Sequence, residues 1–124
     1  MQLLMRRFLV GLCILLLGVS SVSHSCSLVP SDSKVSDEVI EMLRKEVGDV
    51  YITSRYRACD HPIEAAKGHC LGLHVQGKAI DVSCSGETSC NRLVQAGKVL
   101  GFGGIIRYDT HVHLDTRKEV YIKE

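Results

Sequence analysis

Two short stretches hold the side chains best suited to chemistry. The first is His111-Val112-His113-Leu114-Asp115. On a β-strand, residues i, i+2 and i+4 share a face, so His111, His113 and Asp115 project together while Val112 and Leu114 turn to a core. Packing alone gives little reason for two imidazoles and a carboxylate on one face. The second stretch is His74-Val75-Gln76-Gly77-Lys78-Ala79-Ile80-Asp81. Gly77 permits a tight turn that brings His74 back beside a strand carrying Asp81. Neutral imidazole and ionised carboxylate are ordinary zinc ligands, bound at about 2.0–2.2 Å. Two histidines and one aspartate leave a zinc ion with residual positive charge and an open fourth position, the arrangement metal-assisted hydrolysis requires. Either stretch alone is a weak signal, since HxH also fits a solvated strand face. Together, in this order, they are strong.

Strands must flank both stretches if these side chains are to meet. Lys78–Ser83 reads as one, with Ile80 and Val82 on one face and Ala79 and Asp81 on the other. Val50–Tyr56, Ile105–Tyr108, His111–Thr116 and Glu119–Ile122 read as four more, with antiparallel pairing expected near the C-terminus. A helix starts at Ser36 as N-cap. Asp37 and Glu38 complement its dipole, Val39, Ile40, Leu43 and Val47 share a face, and Gly48 ends it. A second helix is expected over Ser89–Leu100, capped by Thr88. Between Arg57 and Val75 no period holds, which predicts a long loop with a helical turn at Ile63–Lys67. The expected fold class is α+β, a small antiparallel sheet with flanking helices.

Composition narrows the classes. The chain has 124 residues, fifteen Lys/Arg, fourteen Asp/Glu and a formal net charge of +1. Met1–Ser25 opens with Arg6 and Arg7, runs apolar from Phe8 to Val19 and ends among serines, the pattern of a secretory signal. The apolar run is shorter than the roughly 17–25 residues of a membrane span. The expected division is 1–25 signal peptide, 26–35 linker and 36–124 catalytic domain, with a secreted or periplasmic location. Without the two arginines of its signal the chain is slightly acidic, so neither nucleic acid nor a membrane surface is an expected partner, and no stable membrane insertion follows signal cleavage. A monomer is expected, with no second domain for attachment. A domain this small buries only about 60–65% of its unfolded surface and needs staples. Cys59–Cys70 and Cys84–Cys90 are the simplest disulfide pairs among three connectivities. Cys26 is then left over as a free or intermolecular thiol. Lipid attachment there is disfavoured, because Ser23 and His24 replace the aliphatic and small residues that bacterial lipidation prefers.

The segment from Ser54 to Arg117 resembles the zinc D-alanyl-D-alanine carboxypeptidases and related peptidoglycan endopeptidases, whose metal site is shared with lysostaphin-type enzymes and the hedgehog domain. Ser54-Arg55-Tyr56-Arg57 is similar to that family's S-G-Y-R, and His74-x-x-Gly77-x-Ala79-x-Asp81 to its H-x-x-G-x-A-x-D. Gly104-Ile105-Ile106-Arg107-Tyr108 and Val112-His113-Leu114-Asp115-Thr116-Arg117 resemble its closing G-I-G-R-Y and V-H-V-D-T-R. The resemblance implies a hedgehog/D-Ala-D-Ala-peptidase-like fold and a zinc metallopeptidase acting on peptidoglycan or muropeptides. It assigns His74, Asp81 and His113 to Zn²⁺ and Arg57 to the substrate's carboxylate, a task that suits the guanidinium fork.

Two residues compete for general base. The family places a carboxylate shortly before the last ligand, often three positions earlier, where this chain has Thr110; Asp109 stands one further back. The lysostaphin branch uses a histidine two before the ligand, here His111. Family chemistry favours Asp109 and reach favours His111, with the balance falling slightly to Asp109. Asp115 is expected to orient a ligand imidazole. Gly72 stands where the family commonly has Ser, and Arg55 where it has Gly. Those departures keep open a non-catalytic zinc-containing binding module of the same fold. A disulfide-stapled protein without metal is the third reading.

Overall fold

A computed structural model describes residues 27–68 and 70–124. The signal segment, Cys13, Cys26 and His69 lie outside the described residues. The elements run α1 (Asp37–Val47), β1 (Ile52–Ser54), α2 (Pro62–Ala65), β2 (Ala79–Ser83), α3 (Gly86–Leu100), β3 (Gly104–Arg107), β4 (His111–Asp115) and β5 (Tyr121–Lys123). The five strands form one sheet in the order β1-β2-β4-β3-β5. This is the expected α+β class.

Alternation along the strands separates core from site. Ile80 and Val82 of β2, Val112 and Leu114 of β4, and Ile105 of β3 are fully buried and belong to one apolar cluster. Leu43 of α1 and Leu93, Val94 and Leu100 of α3 complete it. Asp81, His111 and His113 alternate with those residues and so occupy the opposite face. The β2–β4 ladder sets the pairing, with Asp81 opposite His113 and Ser83 opposite His111.

α1 follows its sequence signals closely. The Ser36 hydroxyl accepts the Val39 N–H at 3.2 Å, and the Gly48 N–H closes on Arg44 O at 2.8 Å. α3 begins at Gly86, three residues before the expected start, with Ser85 rather than Thr88 in the cap position. Apolar periodicity is silent over Gly86–Ser89, so the early turn left no such signal. The Cys84–Cys90 disulfide ties this first turn to the end of β2, and Cys59–Cys70 closes the loop carrying α2.

Three further differences have simple causes. β1 is shorter than Val50–Tyr56, because its register with β2 shifts between Ile52 and Ser54. β5 pairs with β3 in parallel, not antiparallel. The chain reverses after β4 and passes over β3, so it must run in the direction of β3. Finally, the stretch expected as a loose linker is docked: Val29 and Val35 are buried in the core, and the Val29 N–H donates to Leu100 O at 2.9 Å. Among the described residues no helix is long and apolar enough to cross a membrane.

Candidate metal centre

A tight turn places the first ligand. Gly77 sits at φ +73°, a conformation costly for any residue with a Cβ. Its N–H donates to His74 O at 3.1 Å, and the Lys78 N–H donates to Leu73 O at 2.8 Å. His74 is thereby folded back beside β2, as the glycine spacing predicts. His74 Nε2 lies 3.4 Å and His113 Nδ1 3.1 Å from Asp81 Oδ1. One ligand atom from each residue falls within 4.8 Å of the others, and the three residues form a group able to hold a metal ion. Donors bonded tetrahedrally at about 2.0–2.2 Å stand roughly 3.3–3.6 Å apart, which the 3.4 Å edge matches and the 3.1 Å edge approaches.

The second atom of each ligand already has a partner. His74 Nδ1 is 2.6 Å from Arg55 O, which accepts its N–H and leaves Nε2 as the lone-pair donor. His113 Nε2 is 2.8 Å from Asp115 Oδ2, which leaves Nδ1 for a metal. Asp81 Oδ2 accepts from Arg57 Nη2 at 2.8 Å, which leaves Oδ1. Asp115 is itself held by Arg117, whose Nε and Nη2 reach its two oxygens at 2.9 and 2.6 Å. The donor set therefore fits zinc in type, spacing and tautomer.

Charge in the site is tightly balanced. Burial works against the charge on Asp81, and hydrogen bonds from His113 and His74 outweigh it and hold the carboxyl well below its ordinary range. Burial likewise opposes a cationic His113, yet Asp115 and Asp81 on either side raise its pKa.

An open cavity of about 400 Å³ lies over the ligands, lined also by Arg57, Lys67, Tyr108, His111 and Arg117. The His111 ring stacks on Tyr108 with centroids 4.5 Å apart, and its Nδ1 is 3.2 Å from Thr110 Oγ1. The structure thus brings His74, Asp81, His113, Arg57 and His111 to one cavity. Asp109 is exposed in the β3–β4 turn and is not among the lining residues. Sequence reasoning missed Glu64, a fully buried carboxylate in the wall that accepts from Arg57 Nη1 and Lys67 Nζ, each at 3.3 Å. It stands in the aperiodic loop, where no local pattern marks a residue as buried.

The family model described as Peptidase M15 matches residues 15–115, a span that includes His74, Asp81 and His113. The chain belongs to the Peptidase M15 family. Peptidase M15 proteins are zinc-dependent peptidases acting on peptidoglycan, and the cluster just described is where this member can hold its metal. Comparison with curated proteins and with solved structures gives no match.

Proposed function

We propose that this chain is a secreted zinc peptidase that hydrolyses peptide bonds in peptidoglycan stem peptides, of the D-Ala-D-Ala carboxypeptidase or endopeptidase type. One observation carries the reading. His74 Nε2, Asp81 Oδ1 and His113 Nδ1 converge, while Arg55 O, Arg57 and Asp115 engage their other atoms. Bound there, zinc supplies Lewis acidity toward the scissile carbonyl and toward water.

The remaining work falls to side chains. His111 lines the cavity with its Nδ1 3.2 Å from the Thr110 hydroxyl, and its imidazole serves as the base. It takes a proton from the attacking water and returns it to the leaving amine. The exposed turn position of Asp109 makes it the weaker candidate for that role. Arg57, Lys67 and Arg117 give the cavity wall three cations toward a substrate bearing carboxylates. The two disulfides suit an oxidising compartment, and residues 1–25 serve as the export signal ahead of a domain that takes in Val29 and Val35.

The direct test is to digest purified peptidoglycan with the zinc-loaded protein and identify the fragments by mass. We expect release of D-alanine or a stem fragment, lost together with one equivalent of zinc in His113→Ala. Thr110, standing where the family places a carboxylate, favours a second reading as a binding module. Zinc retention with no fragment released would establish that reading instead.

A further inference from the structure

Resting on the peptidase reading above, we infer that Lys67, anchored by the buried Glu64, is the cation that receives the substrate's terminal carboxylate, and that Arg57 is a positioning residue for Asp81. The assignment follows from where each cation's charge is directed. Both terminal nitrogens of Arg57 already donate into the wall, Nη2 to Asp81 at 2.8 Å and Nη1 to Glu64 at 3.3 Å, and only 14% of its side chain is exposed. Arg117 is clamped on Asp115 through Nε and Nη2 and lies over the Tyr121 ring. Lys67 is different. Its side chain is 41% exposed, it lines the cavity, and its ammonium touches Glu64 at 3.2 and 3.3 Å from one side only. Its greater exposure, with Glu64 on one side, leaves an N–H of the ammonium open to a second carboxylate on the cavity side.

Glu64 explains why Lys67 stands there. Its carboxylate has no exposed surface and serves two cations, so it fixes the Lys67 head near the wall and keeps Arg57 turned toward Asp81. Gly72 is the complement. A Cβ at position 72 would meet Glu64 Oε2, so glycine lets the Glu64 carboxylate lie where it does and a larger residue would require that side chain to shift. The Cys59–Cys70 disulfide closes the loop that carries both Glu64 and Lys67. Glutamate and lysine therefore act as one unit that places carboxylate recognition on the loop.

The experiment measures binding and cleavage of two stem pentapeptides, one ending in a free D-Ala carboxylate and one in its amide, by the zinc-loaded chain. The wild-type protein should favour the carboxylate roughly tenfold, through Kd and KM rather than kcat. Lys67→Ala and Lys67→Gln should bring that ratio close to one while zinc stoichiometry stays at one per chain, and Lys67→Arg should restore it. Glu64→Gln should lower the ratio, whereas Arg57→Lys should weaken zinc binding and leave the ratio in place. A wild-type protein without preference, or Lys67 variants that keep it, would overturn the assignment, as would loss of preference in Arg57→Lys alone. Preferential binding without cleavage would refute the peptidase reading and leave the clamp standing.

Discussion

His111 and Asp109 show how strand register decides which side chain reaches the cavity. Both precede the last ligand, but His111 shares a strand face with His113, whereas Asp109 sits in the turn closed by the Tyr108 N–H on His111 O at 2.9 Å. His111→Ala is expected to lower kcat by about 10²–10⁴-fold with zinc retained, the range of general-base loss. Asp109→Asn should lower it far less. Steady-state kinetics on one stem peptide, with metal content measured alongside, separates the two. Glu64 also makes a pH prediction for the metal-free protein. Burial pushes its pKa up, and hydrogen bonds from Lys67 and Arg57 outweigh that and hold it below the ordinary 4.5. A lowered carboxyl pKa stabilises the fold above the unfolded value, and the contribution fades as pH falls below 4.5 toward the folded value. Thermal unfolding followed from pH 6 downward should show an acid loss that is shallower in Glu64→Gln.

At the scale of elements, β2 and β4 are one device with two faces. Leu114 and Ile80 bury the pair in the core beside the helices, and the alternate residues Asp81 and His113 belong to the cluster able to hold a metal. Leu114→Ala should cost about 2–5 kcal/mol, the range for emptying a fully buried leucine site. Because the ladder carries His113 on the adjacent residue, zinc affinity should fall with it. The short disulfide Cys84–Cys90 joins β2 to the first turn of α3. Replacing both cysteines with serine should lower stability by roughly 2–3 kcal/mol on loop-closure grounds. Denaturant titration of the reduced and oxidised wild-type chain provides the control.

For the molecule as a whole, the two disulfides supplement a small core, and a metal bound at the cluster would add to them. A ligand that binds only the folded state stabilises it, by about 2.7 kcal/mol at a concentration a hundred times its Kd. Zinc should therefore raise the melting temperature in a concentration-dependent way, and a chelator should reverse it. His113→Ala should be insensitive to both. The wall around the site is balanced before metal enters, with Arg57, Lys67 and Arg117 facing Asp81, Glu64 and Asp115. A divalent ion then makes the cavity cationic, which suits substrates carrying carboxylates.

The ligand set, the two faces of β2 and β4, the cap of α1 and the turn at Gly77 were legible in the sequence. All of these are local: period, capping chemistry and glycine conformation act over a few residues. The short-range cysteine pairing was legible for the same reason. Other features required distant segments to be brought together. The direction of β5 depends on which strand it reaches after passing β3. The docking of Val29 and Val35 depends on where α3 ends. The tautomers of His74 and His113 depend on Arg55 O and Asp115, and the Glu64 contacts depend on how the loop brings Arg57 and Lys67 to it. The sequence by itself determined which residues can bind a metal and in what order they come. Only the tertiary structure decided which nitrogen faces the site, where Arg57 directs its charge and which base lines the cavity, because these follow from contacts between segments that no local period encodes.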